Sequence, residues 1–174
     1  GLLPFKHIDH LHPDALIAIA AAEDSQEITK EIWGDTMGWV PWQRPGFDLG
    51  LKLEACFKEN PSIRGIVLES HGLFTWGDTS YDSYINSLEV IEAASQYIEN
   101  KIVKNGSVFG GQKIKSLNPD SRKSQAALLA PLLRGLCSSE DPVIGHFTDD
   151  EKVLEYINSH ALKRLAPMGT SCPD

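Results

Sequence analysis

Cysteine is scarce and unpaired in this chain. Cys56, Cys137 and Cys172 are odd in number and widely spaced, and no CxxC occurs. That pattern excludes a disulfide framework and fits reduced thiols in a cytoplasmic protein. Basic charge is also short: 16 Lys and Arg against 24 Asp and Glu give a formal net charge of -8. Nucleic-acid binding needs a basic stripe to displace phosphate counterions, so no nucleic-acid partner is expected. A locally basic pocket for a phosphorylated small molecule stays compatible with an acidic surface. Long apolar runs are missing too. The longest, residues 15–22, is too short to span a bilayer, and no signal-peptide pattern is visible, so no membrane partner is expected. No GxGxxG follows a candidate strand, which leaves out a dinucleotide site. The first residue is Gly1 and not methionine, and neither "GLLPFKH" nor "APMGTSCPD" reads as a polar tail. The expectation is a segment of a longer protein.

What remains is an ordinary globular composition. With 174 residues, 41% hydrophobic and 23% charged, the chain has the length of one domain and can bury a core without staples. "PFKHIDHLH" reads as a strand ending at a proline. Pro13 suits the first turn of a helix, and "DALIAIAAAED" continues it with good helix formers. A second helix fits "SQEITKEIWG", with Ser25 as N-cap and Gly34 as stop. "GWVPWQRPG" is a short strand and turn, since its prolines and glycines forbid a helix. Leu49, Leu53 and Phe57 mark a helix over residues 48–58. "SIRGIVLES" is a buried strand, and "HGLFTWGDTS" reads as a strand end and loop.

A long helix then runs from about Ser80 to about Lys104. Its expected core stripe is Tyr84, Leu88, Ile91, Ala94 or Ser95, Ile98 and Ile102. Asp78 and Thr79 read as its N-cap chemistry. After Gly106, "GSVFGGQKIKSLNPDSRKS" reads as a connector. A helix follows in "SRKSQAALLAPLLRGL", kinked by Pro131; "DPVIGHF" fits a strand, "DDEKVLEYINS" a helix, and "ALKRLA" either. Strands alternating with helices through the first part indicate an α/β layered domain.

The stretch "HIDHLHPDALIA" holds three of the six histidines. Residues two apart on a strand share a face, so His10 and His12 would converge while Leu11 packs the other way. Two neutral nitrogens at one point suit a divalent metal, with ligand distances of about 2.0–2.1 Å for zinc. Alone the pair is a weak signal, and a solvated strand end with two exposed histidines explains it more often. His71 lies at the end of an apolar strand, directly before Gly72. By itself it reads as a hydrogen-bonded core histidine. Beside the pair it suggests three histidines with an open coordination position, the pattern of catalytic zinc. His7, three residues before His10, points away from the site, and His146 and His160 receive no role.

"HLHPDALIA" followed by "VLESHGLFTWGDT" and a long helix resembles the class II aldolase/adducin family. "WVPWQRPG" and "FDLGLKLEACFKENP" resemble that family's strand, Pro-Gly turn and helix. The wording is most similar to the aldolase half of the bifunctional rhamnulose-1-phosphate aldolase/alcohol dehydrogenase proteins. The resemblance covers residues 4–105 well and is thinner beyond. It implies a three-layer α-β-α domain with a mixed, largely antiparallel central sheet, N-terminally truncated. Residues 1–105 would be a partial aldolase domain, and residues 106–174 a connector and accessory helical segment toward a dehydrogenase domain on the same full-length chain.

The resemblance implies His10, His12 and His71 as ligands of Zn2+ or another divalent metal. It implies reversible cleavage of a ketose 1-phosphate into dihydroxyacetone phosphate and an aldehyde, lactaldehyde in the rhamnulose case. The alternatives are an epimerase or dehydratase of the same family and a non-enzymatic, adducin-like scaffold. A sugar phosphate is the implied ligand and a homo-oligomer the implied assembly. The family's catalytic glutamate lies upstream of the HxHP pair, before residue 1. Glu69 is a candidate substitute base, although a supporting or surface carboxylate is its commoner role; Asp35 and Glu23 are weaker candidates. Arg44 in "WQRPG" is a candidate phosphate contact, against the commoner surface arginine on a turn. For Trp39, Trp42 and Trp76 packing is the default.

Overall fold

Four short strands make one sheet in the order β1-β4-β3-β2: β1 (His7–Leu11), β2 (Gly38–Val40), β3 (Gly65–Leu68) and β4 (Gly72–Gly77). β1 pairs β4 and β3 pairs β4 antiparallel, whereas β2 pairs β3 in parallel. The sheet is therefore mixed and largely antiparallel, as expected. The computed structural model describes residues 2–169, so Cys172 lies outside the described residues. These residues divide into two compact units, 2–104 and 105–169.

In the first unit the strand residues alternate between two cores, as the period of two requires. Val67 and Leu73 pack with Leu16, Ile19 and Ala20 of α1 (Asp14–Ala20), Trp33 of α2 (Ser25–Trp33), and Val90 and Ala94 of α4 (Ser80–Asn105). Ile66, Leu68 and Trp76 face the other way, onto Leu49 and Leu53 of α3 (Phe47–Glu59). Helices on both faces give the three-layer α-β-α arrangement.

"HGLFTWGDTS" does not stop at a strand end. Its first six residues form β4, the strand with neighbours on both sides. Ser25 is not an N-cap but the first helical residue of α2. It is buried, and its hydroxyl accepts the Trp39 indole N–H at 3.0 Å. α1 ends at Ala20, earlier than its helix-forming composition suggested.

The stripe expected along α4 is also shifted. Ser83, Ser87, Val90 and Ala94 are buried, whereas Tyr84 is 57% and Leu88 44% exposed. The reason is a polar network. Ser83 Oγ donates to Asp9 Oδ2 at 2.7 Å, Ser87 Oγ to the same oxygen at 3.3 Å, and the Thr75 and Ser87 hydroxyls lie 2.6 Å apart. Small hydroxyl side chains turn toward the sheet because β1 and β4 supply partners there. Thr79 caps α4 as expected. Its hydroxyl accepts from the Asp82 N–H while the Asp82 carboxylate accepts from the Thr79 N–H, a reciprocal capping box.

The second unit holds α5 (Pro119–Cys137), α6 (Glu151–Ile157) and α7 (Leu162–Leu165). Asn118 caps α5 through the Ser121 N–H, and Pro131 lies inside that helix. "DPVIGHF" has no strand: its residues make no ladder. The Arg134 Nε–H donates to the Val143 carbonyl at 3.0 Å and ties that segment to α5 instead. No helix among the described residues is long and apolar enough to cross a membrane.

Candidate metal centre

β1 and β4 are paired through His10↔Phe74 and Leu11↔Leu73, which brings the end of β1 beside the start of β4. The β3–β4 connection, residues 69–71, closes on the Leu68↔Gly72 pair. His10, at the end of β1, His12, just past it, and His71, in that connection, therefore meet. Each offers a ring nitrogen, and those atoms lie within 4.8 Å of one another. The ring centroids are 4.7 Å apart for His10 and His12, and 5.1 Å for each of those with His71. His10 and His12 are exposed and His71 is buried.

His10 is oriented from two sides. Its Nδ1 lies 3.0 Å from the Leu73 carbonyl oxygen. A carbonyl only accepts, so Nδ1 carries the proton and Nε2 keeps its lone pair for a metal. The ring also stacks on Phe74, with centroids 4.2 Å apart and planes 9° from parallel. His12 owes its place to a missing side chain. A Cβ on Gly72 would meet His12 Cδ2 at 2.6 Å and the Leu11 carbonyl at 2.7 Å. Three nitrogen donors within 4.8 Å of one another, one with its tautomer set, are the donor set that Zn2+ and similar cations accept.

The other candidates sit outside this group. His7 pairs across from Gly77, at the far end of β1. Glu69 accepts the Trp42 N–H through Oε2 at 2.8 Å. That contact ties the segment after β2, which carries Arg44, to the turn that carries His71. Arg44 itself is exposed, with no ion-pair partner among the described residues. Asp9, next to His10, faces the opposite side of the sheet, toward α4. Trp76 is buried and stacks on Phe5 at 4.9 Å, a packing role, whereas Trp42 is 57% exposed. His146 and His160 belong to the second unit and join no metal-type cluster among the described residues.

Sequence reasoning missed the Leu73 carbonyl and the Phe74 ring. Both act through β1–β4 register, and no local pattern announces them. The only signal available was the apolar "GLFTW" run, which a strand reading would have paired with "HIDHL".

Comparison with known proteins gives the family. The model of the Class II Aldolase and Adducin N-terminal domain matches residues 3–98, and that of the second domain of class II aldolase matches residues 124–174. A Bacillus subtilis (strain 168) protein described as the uncharacterized oxidoreductase YuxG is 40% identical over all 174 residues. The chain spans 25% of that relative's length. The N-terminal class II aldolase domain of a conserved protein from Thermoplasma acidophilum is 34% identical, with a TM-score of 0.51 over 56% of this chain and 44% of that one. A match across more than half of the chain, on a fold that carries the three converging imidazoles, places it in the class II aldolase and adducin family.

Proposed function

We propose that this chain carries the metal-binding face of a zinc-dependent lyase that cleaves a ketose 1-phosphate by a retro-aldol step. The substrate we assign is rhamnulose 1-phosphate, giving dihydroxyacetone phosphate and lactaldehyde. The observation that carries this reading is the convergence of His10, His12 and His71 within 4.8 Å. Family membership supports the lyase class. The relative described as an oxidoreductase, of which this chain spans 25%, supports a dehydrogenase domain on a longer protein.

His10, His12 and His71 would hold the cation and leave part of its coordination sphere open toward solvent, since two of the three rings are exposed. When bound, the cation supplies Lewis acidity for the negative charge that builds as the carbon–carbon bond breaks. His10 is held in the competent tautomer by the Leu73 carbonyl. Arg44, on the segment anchored by Glu69, is the candidate phosphate contact. Among the described residues no carboxylate joins the imidazole group. The reading therefore gives proton transfer to the glutamate expected upstream of residue 1, and leaves Glu69 to its bond with Trp42.

Metal analysis tests this directly. Protein purified without chelators is expected to hold a divalent metal, and His71→Ala to lose it. Metal-free wild-type protein, or an unchanged metal content in His71→Ala, sinks the reading. The 174-residue chain is expected to bind zinc without turning over rhamnulose 1-phosphate. Measurable cleavage by this chain alone would overturn the upstream assignment of the base. Epimerised or dehydrated product from the full-length protein would redirect the chemistry while keeping the ligands.

A further inference from the structure

Ser70 and Phe109 are the non-glycine residues with positive φ among those described, and Ser70, at φ 52°, directly precedes His71. A side chain in the left-handed region is sterically disfavoured, so the surroundings must hold it there. They do so through all three backbone N–H groups of the β3–β4 turn. The Glu69 N–H donates to the Val40 carbonyl at 3.0 Å, the Ser70 N–H to the Ala20 carbonyl at 2.8 Å, and the His71 N–H to the Leu68 carbonyl at 3.2 Å.

The Ala20 bond connects two ends of the metal centre. β1 pairing stops at Leu11, so strand pairing does not hold His12. From His12 the chain passes through Pro13 into α1, whose Leu16, Ile17, Ile19 and Ala20 are buried in the core. The last residue of α1 then returns its carbonyl to Ser70. One closed path results: His12, Pro13, α1, the Ala20 carbonyl, the Ser70 N–H, His71.

We propose that Ser70 is a positioning residue for the imidazole group. Its left-handed backbone, held by the end of α1, sets His71 against His12 and builds the site before a metal arrives. The role belongs to the backbone conformation and not to the hydroxyl. The inference rests on the reading of the three histidines as ligands, and the two can fail separately.

The test measures zinc affinity by calorimetry on the metal-free 174-residue chain, with melting in the absence of zinc recorded alongside. Glycine adopts positive φ freely. Ser70→Gly is therefore expected to keep zinc affinity within about twofold of wild type and to melt no lower, whereas Ser70→Val is expected to lose roughly tenfold or more in affinity. Cobalt substitution adds a reading that stability alone does not move: the four-coordinate visible spectrum should persist in the Gly variant and weaken in the Val variant. Ser70→Ala, a milder challenge, should fall between them and serves if the Val variant does not fold. A tenfold loss in Ser70→Gly would overturn the proposal, because it would assign the role to the side chain. So would Val or Ala variants that melt lower yet bind zinc as tightly as wild type. If wild-type protein itself binds no zinc, or His71→Ala binds it normally, the ligand reading has failed, and the brace with it. Normal wild-type binding with indifferent Ser70 variants removes the brace alone.

Discussion

At the scale of single residues, small or constrained groups decide what larger ones can do. Gly72 matters because a methyl group there would collide with the His12 ring and the Leu11 carbonyl together. Gly38 has a parallel role away from the metal centre: a Cβ there would meet Cys56 Sγ at 2.6 Å. Cys56 sits half-buried beneath it, and burial first, then the nearby negative charge of Glu59, push its thiol up, while a backbone hydrogen bond at Trp39 pulls the other way. A thiol so placed is a poor nucleophile near neutrality, because the thiolate is the reactive form. Alkylation at pH 8 should therefore label exposed Cys137 well before Cys56 when followed by mass spectrometry, and the gap should narrow in more alkaline buffer. Ionising Cys56 opposes folding, since its folded pKa lies above the unfolded one. Its contribution to stability is complete below the unfolded thiol pKa and is lost as pH rises through the folded value. Equal labelling of the two cysteines at pH 8 would contradict the burial that underlies this.

Among elements, α4 shows what the sequence made legible and what it did not. Its length, its Thr79 start and its three-to-four periodicity were all readable, because capping and helical spacing are local rules. The phase of its buried face was not. Hydrophobicity selects Tyr84 and Leu88, whereas the helix buries Ser83 and Ser87 toward Asp9 and Thr75. That choice depends on partners in β1 and β4, and "HGLFTWGDTS" did not declare itself a full strand until its neighbours on both sides were known. The candidate metal centre divides the same way. HxH spacing and the "SHG" triplet were visible along the chain, while the Leu73 carbonyl and the Phe74 ring arrive through cross-strand register. Asp9→Ala should accordingly destabilise the first unit by about 1–3 kcal/mol, because the Ser83 and Ser87 hydroxyls lose a shared acceptor in a buried setting. Zinc affinity should change little, since Asp9 faces away from the imidazoles. Denaturant titration and calorimetry on the same variant separate the two. A loss of zinc binding without a loss of stability would place Asp9 in the site and refute its assignment to α4.

For the whole molecule, the distribution of reporters makes the proposed metal centre measurable without activity. The four tryptophans, Trp33, Trp39, Trp42 and Trp76, all lie in the first unit, the unit that also holds the three histidines. Tryptophan fluorescence therefore follows that unit, whereas far-ultraviolet circular dichroism also senses α5, α6 and α7. A ligand that binds only the folded state stabilises it by mass action, by about 2.7 kcal/mol at a free concentration a hundred times its dissociation constant. Zinc should then raise the melting midpoint read by fluorescence, and EDTA should return it to the metal-free value. Protons compete for the same imidazole lone pairs, so the zinc-dependent gain should shrink on acidification while metal-free melting changes by its own course. His71→Ala should abolish the gain and leave the metal-free midpoint measurable. Because His71 is buried in a braced turn, the folded-state emission of the wild-type protein also tests whether the site is built before the metal binds. A preformed site predicts that zinc shifts the midpoint with little change in the folded-state emission. A large spectral change on adding zinc below the melting range would instead mean that the metal orders the turn, and that the closed path through α1 is a consequence of binding and not its preparation.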